Sequence, residues 1–258
     1  MVTLTTDFGL TDAYVGQVKG VILGLCPQVT LVDLSHDIPP QEVDRAGLVV
    51  ASSIPYFPPG TIHLAVVDPG VGTSRRAILV LAAGQMFIAP DNGLLTRVLK
   101  ADPKAKIREI INPALMNERI SPTFHGRDVF APVAGRLAAG LAPAEVGPRL
   151  GNPILSEPDL PVLDRGTIRG RVIYADRFGN LVTNIPVAMV EKSPGPGPVK
   201  VRIGGRELTG LHLTYAEKEE GRPMALVGGL DYLEVAVNKG RADEYFGLDP
   251  GAEVEVEL

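Results

Sequence analysis

GNPILSEPDLPVLDRG, residues 151–166, divides this chain into two kinds of sequence. Its prolines and acidic residues follow neither a strand nor a helix period, which is the texture of a linker. Before it, strand and helix patterns alternate. After it, helical patterns nearly vanish. The stretch therefore predicts an α/β domain over residues 1–153, a linker over 154–165 and a smaller all-β, barrel-like domain over 166–258.

Upstream, VTLTTDF (2–8) reads as a short strand. Tyr14, Val15, Val18, Val21, Ile22 and Leu25 then recur at helical spacing until Pro27. VTLVDLS (29–35) is a second strand, QEVDRAGLVVASSI (41–54) a helix, and TIHLAVVD (61–68) a third strand. AILVLAAGQMFIAP (77–90) predicts two strands around an Ala-Gly turn, and NGLLTRVLK (92–100) begins a helix. FHGRDVFAPVAGRLAAG (124–140) carries a later helix. This alternation implies a largely parallel sheet covered on both faces. Downstream, TIRGRVIYAD, NLVTNIP, VKVRIGG, MALVGGLDYLEVAVN and AEVEVEL read as strands between Gly-rich turns, and SPGPGPVK (193–200) as a loop.

Composition narrows the function. The chain has 258 residues, 45% of them apolar, enough for a substantial core. A net charge of −5 argues against a nucleic-acid partner, which would need a basic face. The single cysteine, Cys26, excludes a disulfide framework or a cysteine zinc site. Met1 leads straight into a strand pattern with no signal-peptide texture. No apolar run reaches the roughly 18 residues of a membrane span. A soluble, cytoplasmic protein with no membrane partner is expected.

In an open α/β sheet, ligands bind beyond the carboxyl ends of the strands. Asp7, Asp33 and Asp68 stand at or near three such ends, and the PDNG turn adds Asp91 and Asn92. Aspartate also caps helices, but three on one rim point to a polar site. His63 lies inside a strand pattern and reads as structural; His36, in the turn LSHDIPP, fits either role. His125 precedes a helix, where unpaired amides face outward. With Asp68 and Arg75 it makes a trio able to hold a water and bias its proton. A dinuclear metal site drawing on Asp7, Asp12, Asp33, His36, Asp68 and His125 is an alternative. Their spacing, however, matches no local metal motif, and no phosphate-loop glycine run is present.

TTDFGLTDAYVGQVKGVI, VDLSHDIPP, VVDPGVGTSRR, FHGRDVFAPVAGRLAAG, DRFGNLVTNI and YLEVAVNKG follow one another in order along the chain. Together they resemble the S-adenosyl-L-methionine (SAM) hydroxide adenosyltransferases, hydrolases related to the fluorinases and chlorinases. The resemblance implies an N-terminal α/β domain, a C-terminal barrel-like domain and a homotrimer with active sites between subunits. It also implies attack of water or hydroxide at the ribose 5′ carbon of SAM, releasing adenosine and methionine. The leaving thioether departs neutral, so neither a general acid nor a metal or other cofactor is expected. The family's catalytic set maps onto Asp68, Arg75 and His125, and Arg76 falls one position beyond it, with a surface or structural role expected. Adenosine contacts map onto Asp7, for the ribose hydroxyls, and onto Asn180, Asn238 and Phe178. Methionine contacts map onto Asp176, Asp12 and Tyr14. On the residues alone, DRFGN also reads as a hairpin turn with Gly179 at positive φ.

Some positions depart from the halogenase pattern. Halogenases resemble this chain but carry Tyr at Asp68 and Trp near Gln41, and the fluorinase carries Ser at Gly126. A halide beside the Asp68 carboxylate would be repelled in a dry pocket. Gly228 and Gly229 stand where relatives hold the methionine carboxylate, leaving that contact unassigned. A SAM-dependent halogenase and a non-catalytic SAM or adenosine binder are the competing readings.

Overall fold

The structure, a computed structural model, describes residues 1–156, 160–191 and 197–258. Residues 157–159 of the expected linker and 193–196 of the expected SPGPGPVK loop lie outside the described residues. The chain divides into two compact units, Met1–Pro158 and Asp159–Leu258.

The first unit runs β1 (Val2–Thr6), α1 (Tyr14–Leu25), β2 (Leu31–Ser35), α2 (Val43–Ser53), β3 (Ile62–Val66), β4 (Ala77–Ala82), β5 (Gln85–Pro90), α3 (Thr96–Ala101), β6 (Lys106–Glu109) and α4 (Ala131–Ala138). Its sheet has the order β2-β1-β3-β5-β4-β6. The first four strands in that order are parallel to their neighbours; β4 runs antiparallel to β5 and β6. β1 and β3 are buried along their whole length, as central parallel strands must be. Alternate residues of β3 feed opposite faces. Ile62, Leu64 and Val66 join one core with Val18 and Ile22 of α1 and Val133 and Leu137 of α4. Ala65 joins Ala46 and Val50 of α2 and Val98 of α3 in the other. The sheet is thereby fixed from both sides, and the loops after β1 and β3 open at the same edge.

Arg76 secures the end of this unit. It bonds the buried Asp91 (Nε to Oδ2, 2.8 Å) and the carbonyl of Asn152 (2.8 Å), and Asp91 Oδ1 accepts from the Ile154 amide. Residues expected at the start of the linker are thus fastened to the sheet. The linker reading also gives way at its other end. Val162–Asp164 form strand β7, paired antiparallel with β8 (Thr167–Ala175), because β8 extends far enough to offer an open edge there.

The second unit continues with β9 (Leu181–Pro186), α5 (Val187–Glu191), β10 (Lys200–Ile203), β11 (Arg206–Thr209), β12 (Leu211–His212), β13 (Pro223–Val227), β14 (Tyr232–Val237), α6 (Ala242–Phe246) and β15 (Glu253–Glu257). The described strands follow the order β11-β10-β15-β8-β9-β14-β13-β12, with β7 on β8. β11 lies against β13, so the sheet curls nearly closed around Ile168, Leu181, Val201, Leu233, Val235 and Val254. β8 turns the corner: Thr167–Arg171 pair with β15 and Val172–Ala175 with β9, with a register shift between Val172 and Tyr174.

Candidate active site

Asp68 leaves the end of β3 and enters a tight turn in which the Val71 amide donates to the Asp68 carbonyl at 3.1 Å. Gly72 has a φ of 77°, and a Cβ there would collide with the Pro122 carbonyl oxygen. Glycine therefore lets this turn press against the loop leading to His125. Arg75 folds back across the turn. Its Nε donates to both Asp68 carboxylate oxygens, at 2.9 and 3.0 Å, and Nη2 also contacts Oδ2. Nη2 reaches His125 Nδ1 as well, at 2.9 Å. The guanidinium carbon lies 5.1 Å from the centroid of the Phe130 ring. The side chains of Arg75 and Asp68 are only 10% and 6% exposed, so solvent does little to weaken the pair.

This geometry settles the state of the histidine. Arginine can only donate, so His125 Nδ1 accepts and the ring proton sits on Nε2. Burial, and then the charge of Arg75, hold the His125 pKa below the ordinary 6.5. The imidazole is neutral at neutral pH and offers Nε2–H as a donor.

Asp68 and His125 share a cavity of about 310 Å³ with Asp7, Phe8, Gln41 and Phe124. Gly126 also lines it, and a Cβ there would sit 3.1 Å from the Phe8 ring. Tyr14, 47% exposed, meets Phe124 edge-on at 5.1 Å and Phe8 at 6.2 Å. Asp12 lies in the exposed bend just before α1.

The segment after His125 is a π turn, Gly126–Phe130, leading into α4. Unpaired amides were expected there, and two of them prove to be paired. The Phe124 carbonyl accepts from both the Arg127 and Asp128 amides at 3.2 Å, so the wide turn consumes them. The His125 loop is held from behind by Asp128, buried to 1% exposure. Its carboxylate accepts from Arg127 Nε and Nη2 (both 2.8 Å), Asn117 Nδ2 (2.8 Å) and the Ser121 amide (2.9 Å). The Arg127 bonds outweigh burial and bring its pKa down to about 2.

Of the acidic residues expected on one rim, only Asp7 and Asp68 share the cavity. Asp33 turns to Lys19 (2.6 Å) and to His36, because its strand places it beside α1, and Asp91 is spent on Arg76. His63 is a core residue, bonded to Thr3 and Gln85 and stacked on Phe87. Among the described residues no three His, Cys, Asp or Glu side chains converge on a common point as ion ligands.

The second unit carries the other expected contacts. Asp176 closes the DRFGN turn: Oδ1 accepts from the Phe178 and Asn180 amides (2.8 and 2.9 Å) and Oδ2 from Asn180 Nδ2 (3.1 Å). Gly179 sits at φ 86° as the turn reading expects. Phe178 is left 76% exposed and, with Asn180, lines a cavity of about 450 Å³. Asn238 instead ties the Lys218 carbonyl (2.7 Å), while its neighbours Val237 and Lys239 line that cavity. Sequence reasoning missed Tyr215, a further wall of the same cavity. Its hydroxyl donates to buried Glu234 at 2.8 Å, and burial with that carboxylate pushes the phenol up to about 12. The signal was Thr214-x-x-Glu217, a short-helix start that places Tyr215 at its first position.

Residues 2–147 match the SAM hydroxide adenosyltransferase N-terminal domain and residues 170–255 the C-terminal domain of that family. The chain belongs to the SAM hydroxide adenosyltransferases. It is 40% identical to an (R)-S-adenosyl-L-methionine hydrolase of Thermus thermophilus, covering 97% of each chain. A fluorinase of Nocardia brasiliensis is 30% identical, over 100% of this chain and 97% of its own. Among solved structures, an uncharacterized conserved protein from Thermotoga maritima superposes with a TM-score of 0.94 at 38% identity, over 100% of both chains. No helix among the described residues is long and apolar enough to cross a membrane.

Proposed function

We infer that this chain hydrolyses (R)-S-adenosyl-L-methionine to adenosine and L-methionine. The observation that carries the reading is Asp68 and His125, both bonded to Arg75, on the wall of a cavity that Asp7 also lines. A water there accepts from His125 Nε2–H and donates to Asp68. Arg75 orients Asp68 and fixes the histidine tautomer. The water oxygen attacks the 5′ carbon, its proton passes to Asp68, and the C5′–S electron pair leaves on sulfur as a neutral thioether. Orientation and exclusion of bulk water supply the rate. Asp7 takes the ribose hydroxyls, Phe178 and Asn180 the adenine, and Asp12, Tyr14 and Asp176 the methionine end.

Asp68 also favours water over halide, since its charge would oppose a bound anion. The nucleophile wall lies in the first unit and the adenine wall in the second, which supports a homotrimer whose sites are shared between subunits. The lone, unpaired Cys26 suits a reducing compartment, and we read the protein as cytoplasmic.

The test is incubation with SAM in isotopically labelled water, with chloride and a chelator present. Adenosine labelled at the 5′ oxygen is the expected product. 5′-Chloroadenosine would make the protein a halogenase, tight binding without turnover a sensor, and loss of activity to the chelator a metal enzyme.

A further inference from the structure

His36 is 5% exposed, sits outside the reacting cavity and takes no part in the chemistry above. Its loop nevertheless grips the Asp7 loop at three points. The His36 ring reaches Thr6 Oγ1 through Nδ1 at 2.8 Å. The His36 carbonyl accepts from the Gly9 amide at 2.8 Å. Five residues on, the Gln41 amide donates to Asp7 Oδ2 at 3.0 Å. Gln41 makes that contact from a left-handed backbone, φ 70°, which costs energy in a residue with a Cβ. The Glu42 that follows, at φ −75° and ψ 73°, forms an inverse γ-turn closed by the Val43 amide on the Gln41 carbonyl (2.9 Å). That path aims one amide at one carboxylate.

One order of protons satisfies every contact in this network. Thr6 Oγ1 accepts from the Phe8 amide at 3.3 Å, so its own hydrogen is available to His36 Nδ1. In that order the ring proton lies on Nε2, a buried atom without an aligned hydrogen bond that faces the acceptor Asp33 Oδ1 at 3.1 Å. Asp33 is held in turn by Lys19 at 2.6 Å. A carboxylate behind a histidine fixes its tautomer and its tilt, and the histidine transmits both to what it touches.

We propose that His36 is a positioning residue: through Thr6, and with the Gln41 amide, it sets the Asp7 carboxylate to receive the two ribose hydroxyls. The proposal rests on the reading of Asp7 as the ribose contact. His36 touches no substrate and acts only on where Asp7 stands.

The test compares adenosine with 2′,3′-dideoxyadenosine by calorimetry. The wild type is expected to prefer adenosine. His36→Ala and, separately, Thr6→Val should weaken adenosine binding roughly tenfold, the scale of one well-placed hydrogen bond to a charged group. Both should leave dideoxyadenosine binding within about twofold, since that ligand never engages Asp7. His36→Asn, which keeps a polar group near Nδ1, should restore part of the preference. In an Asp7→Ala background neither substitution should cost anything further. Thr6→Val keeps the core shape and carries the test if His36→Ala fails to fold. Equal loss of both ligands would make His36 merely structural and overturn the proposal. An unchanged preference in both variants, with Asp7→Ala abolishing it, overturns the proposal and leaves the Asp7 reading intact. If Asp7→Ala itself leaves the preference unchanged, the Asp7 reading falls and the proposal with it.

Discussion

At the level of single residues, the bond from Arg75 Nη2 to His125 Nδ1 limits what the imidazole can do. A ring whose Nδ1 lone pair is engaged and whose Nε2 carries the proton is a donor and cannot serve as the base. That leaves Asp68 to receive the proton, although its oxygens already accept from Arg75. Protonating His125 would set two cations side by side and break the bond. Because burial and Arg75 lower the histidine pKa, the neutral ring persists below pH 6.5. The pH profile of kcat/KM is therefore expected to stay flat through 6.5 and to fall only at lower pH, as the folded-state pKa is crossed. An acid limb centred at or above 6.5 would contradict this tautomer. Asp68→Asn keeps the shape but not the basicity, and should lower kcat by about 100-fold or more while changing substrate affinity only a few-fold. Single-turnover rates beside equilibrium binding measure both, and a kcat near wild type would remove Asp68 from the role of base.

At the level of elements, the π turn Gly126–Phe130 and the β3–β4 turn are two loops pressed together, and Asp128 braces the first. Its carboxylate titrates at about 2 when folded, against 3.8 ordinarily, so the folded state binds the proton less tightly than the unfolded one. The stabilisation is complete above roughly pH 5 and is lost as pH falls through 3.8 toward 2, an effect of about 2 kcal/mol. Asp128→Asn should lower the urea midpoint at pH 7 and flatten its decline between pH 5 and 2; an unchanged slope would show that Asp128 is not the responsible group. The same elements show what a linear sequence reveals. Most strands and helices of the first unit were legible because their periods are long and their punctuation is clean, down to the Ala-Gly hairpin between β4 and β5; β6, four residues that find their place only against β4, was not. Asp68, Arg75 and His125 could be grouped because a short turn joins the first two and a motif carries the third. Asp33 and Asp91 misled because a strand end says where a side chain starts, and only the neighbouring strand or helix decides where it bonds. β7 and Tyr215 were missed for a related reason: each takes its place from a partner, the open edge of β8 for one and the Glu234 carboxylate for the other.

At the level of the whole molecule, the groups assigned to one reaction are divided between two units, with nucleophile and ribose contacts before residue 158 and adenine contacts after residue 159. A cyclic assembly in which each site takes one wall from each of two neighbours has a consequence that a self-contained subunit lacks. Asp68→Asn damages only the first wall, and Phe178→Ala, which removes an exposed aromatic face, only the second. Alone, each variant should be nearly inactive. Co-expressed in equal amounts, they should, if the proposed trimer forms, give mixed assemblies in which an undamaged first wall meets an undamaged second wall at roughly a quarter of the sites. Activity should therefore recover to about that fraction of wild type, and the particle should weigh three times the 27.4 kDa chain by light scattering. If each subunit used its own two walls, every site in the mixture would retain one defect and no activity would return. A trimeric mass without recovery would keep the assembly and reject the shared site, whereas a monomeric mass would reject both.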